Sequence, residues 1–364
     1  MKSFYKELEI KIKESYNNDY GKDNYDELRF GPYSDDVSSL QKLKNKTKQI
    51  IHYKQSERID ELLLIIHPHK ERFEELARIL NQNNRNLLIE LIAFRLLGYK
   101  KIKLSKNNQT FKDNLEKVKE LKDKNCTINP NFMHFILEKF NLKPIGYDLE
   151  LYFTDLGVSV DFLLEQYAYK ENNIPIIEAA VNDVVFDIGG CYGDTALYFA
   201  HKVGKTGKVY SFEFIPGNIK LHQMNCDLNK ELKPRIELIR QPVDSVSNIE
   251  IYFKDNGPGS RVAKEPFKEQ TGTAVTISVD DFVTQNNLTK VDFIKMDIEG
   301  AELDALNGAI NTIKKYKPKL AIAIYHSIGE MVDIPLWIKN LNMGYEIYID
   351  HFTIHHEETV CFAK

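Results

Sequence analysis

Cysteine is scarce. The 364 residues include four, Cys126, Cys191, Cys226 and Cys361, and no two stand at C-x-x-C spacing. That excludes a disulfide framework and a cysteine-built zinc site, and it points to a reducing, cytoplasmic setting. Long apolar runs are also missing. Leu62 to Ile66 is typical of the longest, far short of the roughly 18 residues a membrane helix needs. The opening MKSFYKELEIKIKES is charged throughout and does not read as a signal peptide. Neither sign of charge dominates: 49 Lys+Arg stand against 53 Asp+Glu, a net charge of −4. This argues against a protein held on nucleic acid by bulk charge. No repeat recurs at a fixed period.

What is present is a globular composition, 43% hydrophobic, 28% charged and 11% aromatic, which excludes wholesale disorder. At about 150 residues per domain the length favours two. A basic surplus before residue 150 and an acidic surplus after it point the same way. Residues 1–150 read as a mainly helical N-terminal domain. Leu87, Leu88, Leu91, Ile92, Phe94 and Leu96 recur at helical spacing before Gly98, a C-cap. Residues 57–80 read as two helical pieces broken at Pro68. Segments 17–35 and 125–147, with Gly, Asn and Pro, read as loops. The lysine runs 42–48 and 100–106 read as solvated faces.

Residues 151–364 read as the second domain, and after about residue 175 the texture changes. Short β-branched runs at 184–188, 208–214, 236–239, 291–297 and 319–326 alternate with helical stretches at 194–203, 217–228, 301–314 and 330–341. Further strands read at 249–253 and 274–279. Such alternation means βαβ units on a parallel sheet. The last two strands, 345–350 and 358–363, are too close for a crossover and must pair antiparallel. A doubly wound, Rossmann-like α/β sheet ending in an antiparallel hairpin resembles the class I S-adenosylmethionine-dependent methyltransferases.

The sharpest motif is DIGGCYGDT, 187–195. Strand, glycine turn and helix follow at once, so Gly189, Gly190 and Gly193 let a ligand approach the backbone. The helix start, with Thr195 in it, offers donors to an anionic group. Asp187 at the strand tip is placed for the amino group of a cofactor. Glu213, at the end of the second strand and followed by Phe214, is placed to accept the ribose hydroxyl protons of an adenosine. Gln241 and Asp244, after the third strand, fall where adenine would lie. NAD uses a similar carboxylate, but it wants G-x-G-x-x-G and this chain has G-G-x-x-G.

A second motif, VDFIKMDIEGAELDALNGA (291–309), puts Asp297 at a strand tip, with Glu299 and the turn-forming Gly300 after it. The next strand ends in YHS, which brings His326 beside Asp297. Such a pair serves as base and orienter, or binds a divalent metal. Lys295 shares the face of Asp297, as a carboxylate partner or a substrate contact. In DHFTIHHEET, His351 follows a strand tip and is a substrate candidate, whereas His355 and His356 read as turn residues. NPNF (129–132) reads as a loop. In NGPGSR (256–261), Arg261 is a candidate for anionic groups.

VVFDIGGCYGDTALYFA, VYSFEFIPGN, VDFIKMDIEGAELDALNGA, LAIAIYH and HEETVCFA, in that order over about 180–364, resemble the FkbM-type methyltransferases. The resemblance implies S-adenosylmethionine as cofactor and O-methylation of a sugar hydroxyl, often in bacterial capsule or lipopolysaccharide pathways. It places Asp187, Gly189, Gly193, Glu213 and Asn218 at the cofactor and Asp297, Glu299 and His326 at methyl transfer. The chain departs at FEFIPGN, where the family commonly has a shorter F-E-P-x-P run. The expected partner is a sugar or nucleotide-sugar; homo-oligomerisation is left open. Two rival readings stand beside this one, an NAD-dependent oxidoreductase and a non-catalytic sugar-binding scaffold.

Overall fold

The computed structural model describes residues 3–34 and 51–364; the lysine run 42–48 lies outside the described residues. Seven strands form the central sheet: β1 (Val184–Ile188), β2 (Lys208–Phe212), β3 (Ile236–Ile239), β4 (Phe293–Met296), β5 (Lys319–Ala323), β6 (Ile347–His351) and β7 (Thr359–Ala363). Their order is β6-β7-β5-β4-β1-β2-β3. β1 to β5 run parallel, and β7 inserts antiparallel between β5 and β6. The chain thus has the expected doubly wound sheet and hairpin.

Alternation along the strands divides the core between the two faces. Ile294 and Met296 of β4 and Cys361 and Ala363 of β7 pack into one cluster, Phe293, Val360 and Phe362 into the other. Strands buried on both faces read as continuous apolar runs, which is why these were recognisable in the sequence.

The N-terminal helices share the first cluster. Phe4, Leu8 and Ile12 of Phe4–Ser15, Phe73 of Lys70–Ile79, and Leu88 and Ile92 of Gln82–Leu97 pack in one core with Ile349 of β6 and Ile334 of Glu330–Asn340. The expected break at Pro68 is a 3₁₀ turn, His67–His69. Asn84 bonds both the N–H (3.2 Å) and the carbonyl (2.9 Å) of Ile349. That satisfies the backbone of an edge strand that would otherwise template aggregation.

The stretch 125–147 departs from the loop reading. Lys122–Ile128, Leu137–Asn141 and Glu150–Phe153 form a three-stranded antiparallel sheet. Exposed charges and a register break between Asp123 and Thr127 hide its period-two pattern. The Asn/Pro segment 129–131 belongs to the connection between its first two strands, not to a longer loop. Asn225 and Asn229, from the helix Pro216–Leu228 and its C-cap, bond the backbone of Tyr152 and Glu150. The helix expected at 301–314 is two, Glu302–Asn307 and Ile310–Tyr316. Gly308 lies between them, where a Cβ would stand 2.3 Å from the carbonyl oxygen of Asp244. The strand expected at 274–279 ends at Val275, because Ser278 caps a new helix, Val279–Gln285.

Candidate active site

A cavity of about 870 Å³ opens at the carboxyl ends of β1, β2, β4 and β5, where open α/β sheets place their ligands. β1 runs into Gly189, whose φ is +85° and whose missing Cβ would lie 1.9 Å from the carbonyl oxygen of Asp297. Only glycine fits there. Thr195, Glu213, Phe214, Asn218, Gln241 and Asp244 all line the cavity. Glu213 is buried and accepts from the Ile215 N–H (2.8 Å) and the Asn218 amide (3.0 Å). Burial pushes its carboxyl up to about 7 against those two bonds. Asn218 Oδ1 and Asp194 Oδ1 are buried without a partner.

Asp187 is placed differently from its expected role. It is fully buried and is not among the lining residues. It accepts from Thr195 Oγ1 (2.8 Å) and Ser211 Oγ (2.8 Å) and pairs with Lys295 Nζ at 3.1 Å. Lys295 also donates to the Gly189 carbonyl at 2.6 Å. The lysine is therefore a buried partner that ties the glycine turn to β4.

At the other end Asp297 faces the cavity. Tyr325 Oη donates to both its oxygens (3.0 and 3.1 Å), Tyr167 Oη to one (3.2 Å), and His326 Nε2 lies 3.2 Å away. Burial raises the Asp297 carboxyl, but the hydrogen bond and charge of His326, with Lys295 behind, hold it below the usual range. His326 Nε2 is also 3.1 Å from Glu302 Oε1. Burial works against its proton, yet Asp297 and Glu302 together push the imidazole up to about 11. The two carboxylates favour the protonated ring, which must give up that proton before it can accept one. Glu299 sits at φ +57°, exposed, with a carboxylate oxygen 3.7 Å from His326 Nδ1.

Besides Asp187, four candidates lie outside the cavity lining: Gly190 and Gly193 of the glycine turn, His351 and Arg261. His351 is fully buried between Thr359 Oγ1 (2.8 Å) and Thr353 Oγ1 (3.4 Å). Arg261 stacks over Phe267, its guanidinium carbon 4.4 Å from the ring centroid. His355 and His356, read as turn residues, do line the cavity. So do residues not singled out in the sequence: Arg29, Arg95, Asp161 and Tyr167. Phe132 of NPNF closes the same space, facing Gly257 and Gly259 of NGPGSR.

Residues 187–347 match the family model described as the methyltransferase FkbM domain. Over these residues the chain is similar to the FkbM methyltransferases. The hexuronic acid methyltransferase AglP of Haloferax volcanii is 25% identical over 170 residues, 47% of this chain and 67% of that protein. The crystal structure of an FkbM methyltransferase from Methylobacillus flagellatus superposes with a TM-score of 0.52 at 20% identity, over 84% of this chain. The chain spans 62% of the length of that structure, which shares its fold. The FkbM match begins at Asp187 and stops at Ile347. Arg29, Arg95, Phe132, Tyr167 and the turn carrying His355 thus come to the cavity from outside the matched segment.

Proposed function

We propose that the protein transfers a methyl group from S-adenosylmethionine to the hydroxyl of a sugar, nucleotide-linked or destined for a capsular or lipopolysaccharide polymer, in the cytoplasm. The observation that carries this reading is that Glu213 and Asp297 face one cavity from opposite ends, with Gly189 between them. The cofactor fits the residues present. Glu213 is placed for two ribose hydroxyls, the Gly189 turn leaves room that a side chain would fill, and the orphaned oxygens of Asn218 and Asp194 await donors. When bound, the sulfonium supplies an electrophilic methyl. The chain's own task is to hold an acceptor oxygen in line and to take its proton. The O–H bond breaks, an O–C bond forms, and the C–S pair leaves with sulfur. Asp297, oriented by Tyr167 and Tyr325, and His326, as base or metal ligand, are the groups within reach.

An acidic acceptor suits the far wall. Arg95 bonds the carbonyls of Tyr325 and His356 rather than a carboxylate, so its charge is available to a uronate or phosphate. The AglP relative acts, by its name, on a hexuronic acid. The helices of 1–150 then serve as an acceptor-binding unit. Four free cysteines fit a reducing compartment, and among the described residues no helix is long and apolar enough to cross a membrane.

The test is mass spectrometry of a panel of neutral and acidic sugar nucleotides with the protein and S-adenosylmethionine. One methylated product, with acidic sugars ahead of neutral ones, is expected. Nicotinamide-dependent turnover, or calorimetry showing NAD bound and S-adenosylhomocysteine ignored, would overturn the reading.

A further inference from the structure

The geometry points to a divalent cation site of the Mn²⁺/Mg²⁺ class built by Asp297, Glu302 and His326, whose role as acceptor holder rests on the methyltransferase reading. Each of the three offers one ligand atom, and these atoms lie within 4.8 Å of one another. His326 Nε2 stands 3.2 Å from Asp297 Oδ1 and 3.1 Å from Glu302 Oε1. Adjacent donors around an octahedral cation, with bonds of about 2.1 Å, are roughly 3 Å apart. Two carboxylates and one imidazole are a donor set for Mn²⁺ or Mg²⁺ rather than for a thiophilic ion.

Glu302 supplies the independent observation. Its side chain is completely buried, yet Oε2 has no hydrogen-bond partner. Oε1 accepts the Ile298 N–H at 2.7 Å and faces His326, so the carboxyl group is aimed into the cluster. A buried carboxyl oxygen left unsatisfied is costly, and a cation held by this carboxylate would remove that cost. The hydrogen bonds from Tyr167 and Tyr325 fix Asp297 in the manner of the outer partners that orient metal ligands. Asp297 and His326 line the cavity and Glu302 does not. The two leave open positions on the cavity side, where an acceptor hydroxyl would bind and become easier to deprotonate. Glu299 is exposed on the far side of the imidazole and is not part of the set.

The full chain, stripped with a chelator and saturated with S-adenosylhomocysteine, is titrated with Mn²⁺ by electron paramagnetic resonance, and Mg²⁺ is added as competitor. One Mn²⁺ per chain is expected, displaced by Mg²⁺. Glu302→Gln, which keeps the size and the acceptor for Ile298, should weaken Mn²⁺ at least about tenfold, as should His326→Asn. Calorimetry with S-adenosylhomocysteine on the same samples should be unchanged. Wild-type protein that binds neither ion, or affinity unaltered in both variants, overturns the site. If Glu302→Gln loses S-adenosylhomocysteine and so its fold, the partly exposed His326→Asn carries the test. Wild-type protein that ignores S-adenosylhomocysteine defeats the methyltransferase reading and leaves the Mn²⁺ titration to stand alone.

Discussion

Asp187 and Asp297 stand at the ends of neighbouring parallel strands, and they have opposite fates. Asp187 pairs in register with Lys295 across β1 and β4 and is sealed beneath the glycine turn by a lysine, a serine and a threonine. Asp297, two residues beyond Lys295, turns into the cavity and meets only groups that also face it: two tyrosines and a histidine. The residue type is the same, but Asp187 lies inside β1, level with Lys295, and Asp297 lies one residue past the end of β4, so depth in the sheet and partner together decide the role. An aspartate neutralised by a buried ammonium holds the loop. One held by hydroxyls and an imidazole keeps an oxygen face for chemistry.

The contrast can be broken by substitution. Removing one member of a buried ion pair costs about 3–5 kcal/mol, so Lys295→Met should lower the free energy of urea unfolding by that amount. Unaltered unfolding would show that Asp187 does not depend on it. Asp297→Asn, which leaves Glu302 beside His326, should cost less stability than Lys295→Met and reduce methyl transfer by about a hundredfold or more, with S-adenosylhomocysteine affinity held within about threefold. Equal losses of stability in the two variants would erase the distinction.

Glu213 tests the cofactor end. Its carboxyl is raised to about 7, and only the ionised form accepts from both ribose hydroxyls. Wild-type affinity for S-adenosylhomocysteine should therefore fall as pH drops below about 7. Glu213→Gln should bind about tenfold more weakly at pH 8 and show no such slope in calorimetry.

The effect of His351 is confined to acid pH and is absent at neutrality. Burial pushes its imidazole down to about 3, below the unfolded value near 6.5. A depressed folded value favours the native state above 6.5, and that advantage is lost as pH falls from 6.5 toward 3, at up to about 1.4 kcal/mol per pH unit. His351→Asn should flatten acid unfolding across that window; an unchanged profile would mean that the ring protonates freely.

Much of the sheet was legible, because β1, β4, β5 and β7 are apolar runs buried on both faces and DIGGCYGDT carries its turn within nine residues. At the reaction end Asp297, Glu299 and His326, all read from the sequence, line the cavity, and strand order makes Asp297 and His326 neighbours. Glu299 lines the cavity as read, and Glu302, buried behind it, was not singled out, since D-I-E-G-A-E offers two carboxylates three residues apart. The left-handed backbone at Glu299 and Gly300 settles which one turns inward, and no periodicity reports it. Tyr167, Arg95 and Phe132 arrive from segments remote in sequence, so only the tertiary fold reveals them. The loop reading of 125–147 failed because its strands alternate charged and half-buried residues too weakly to register.

The Cβ-free contact between Gly189 and the carbonyl of Asp297 makes the partition between the two ends of the cavity a single backbone thick. Nothing absorbs displacement there. A methyl group added at 189 would push the glycine turn and the backbone that carries Asp297 at once, and no compensating change confined to one end would restore the other. The two ends must therefore diversify together, and the walls furnished by Arg95, Phe132 and the turn around His355 are where a new acceptor can be accommodated without disturbing that shared partition.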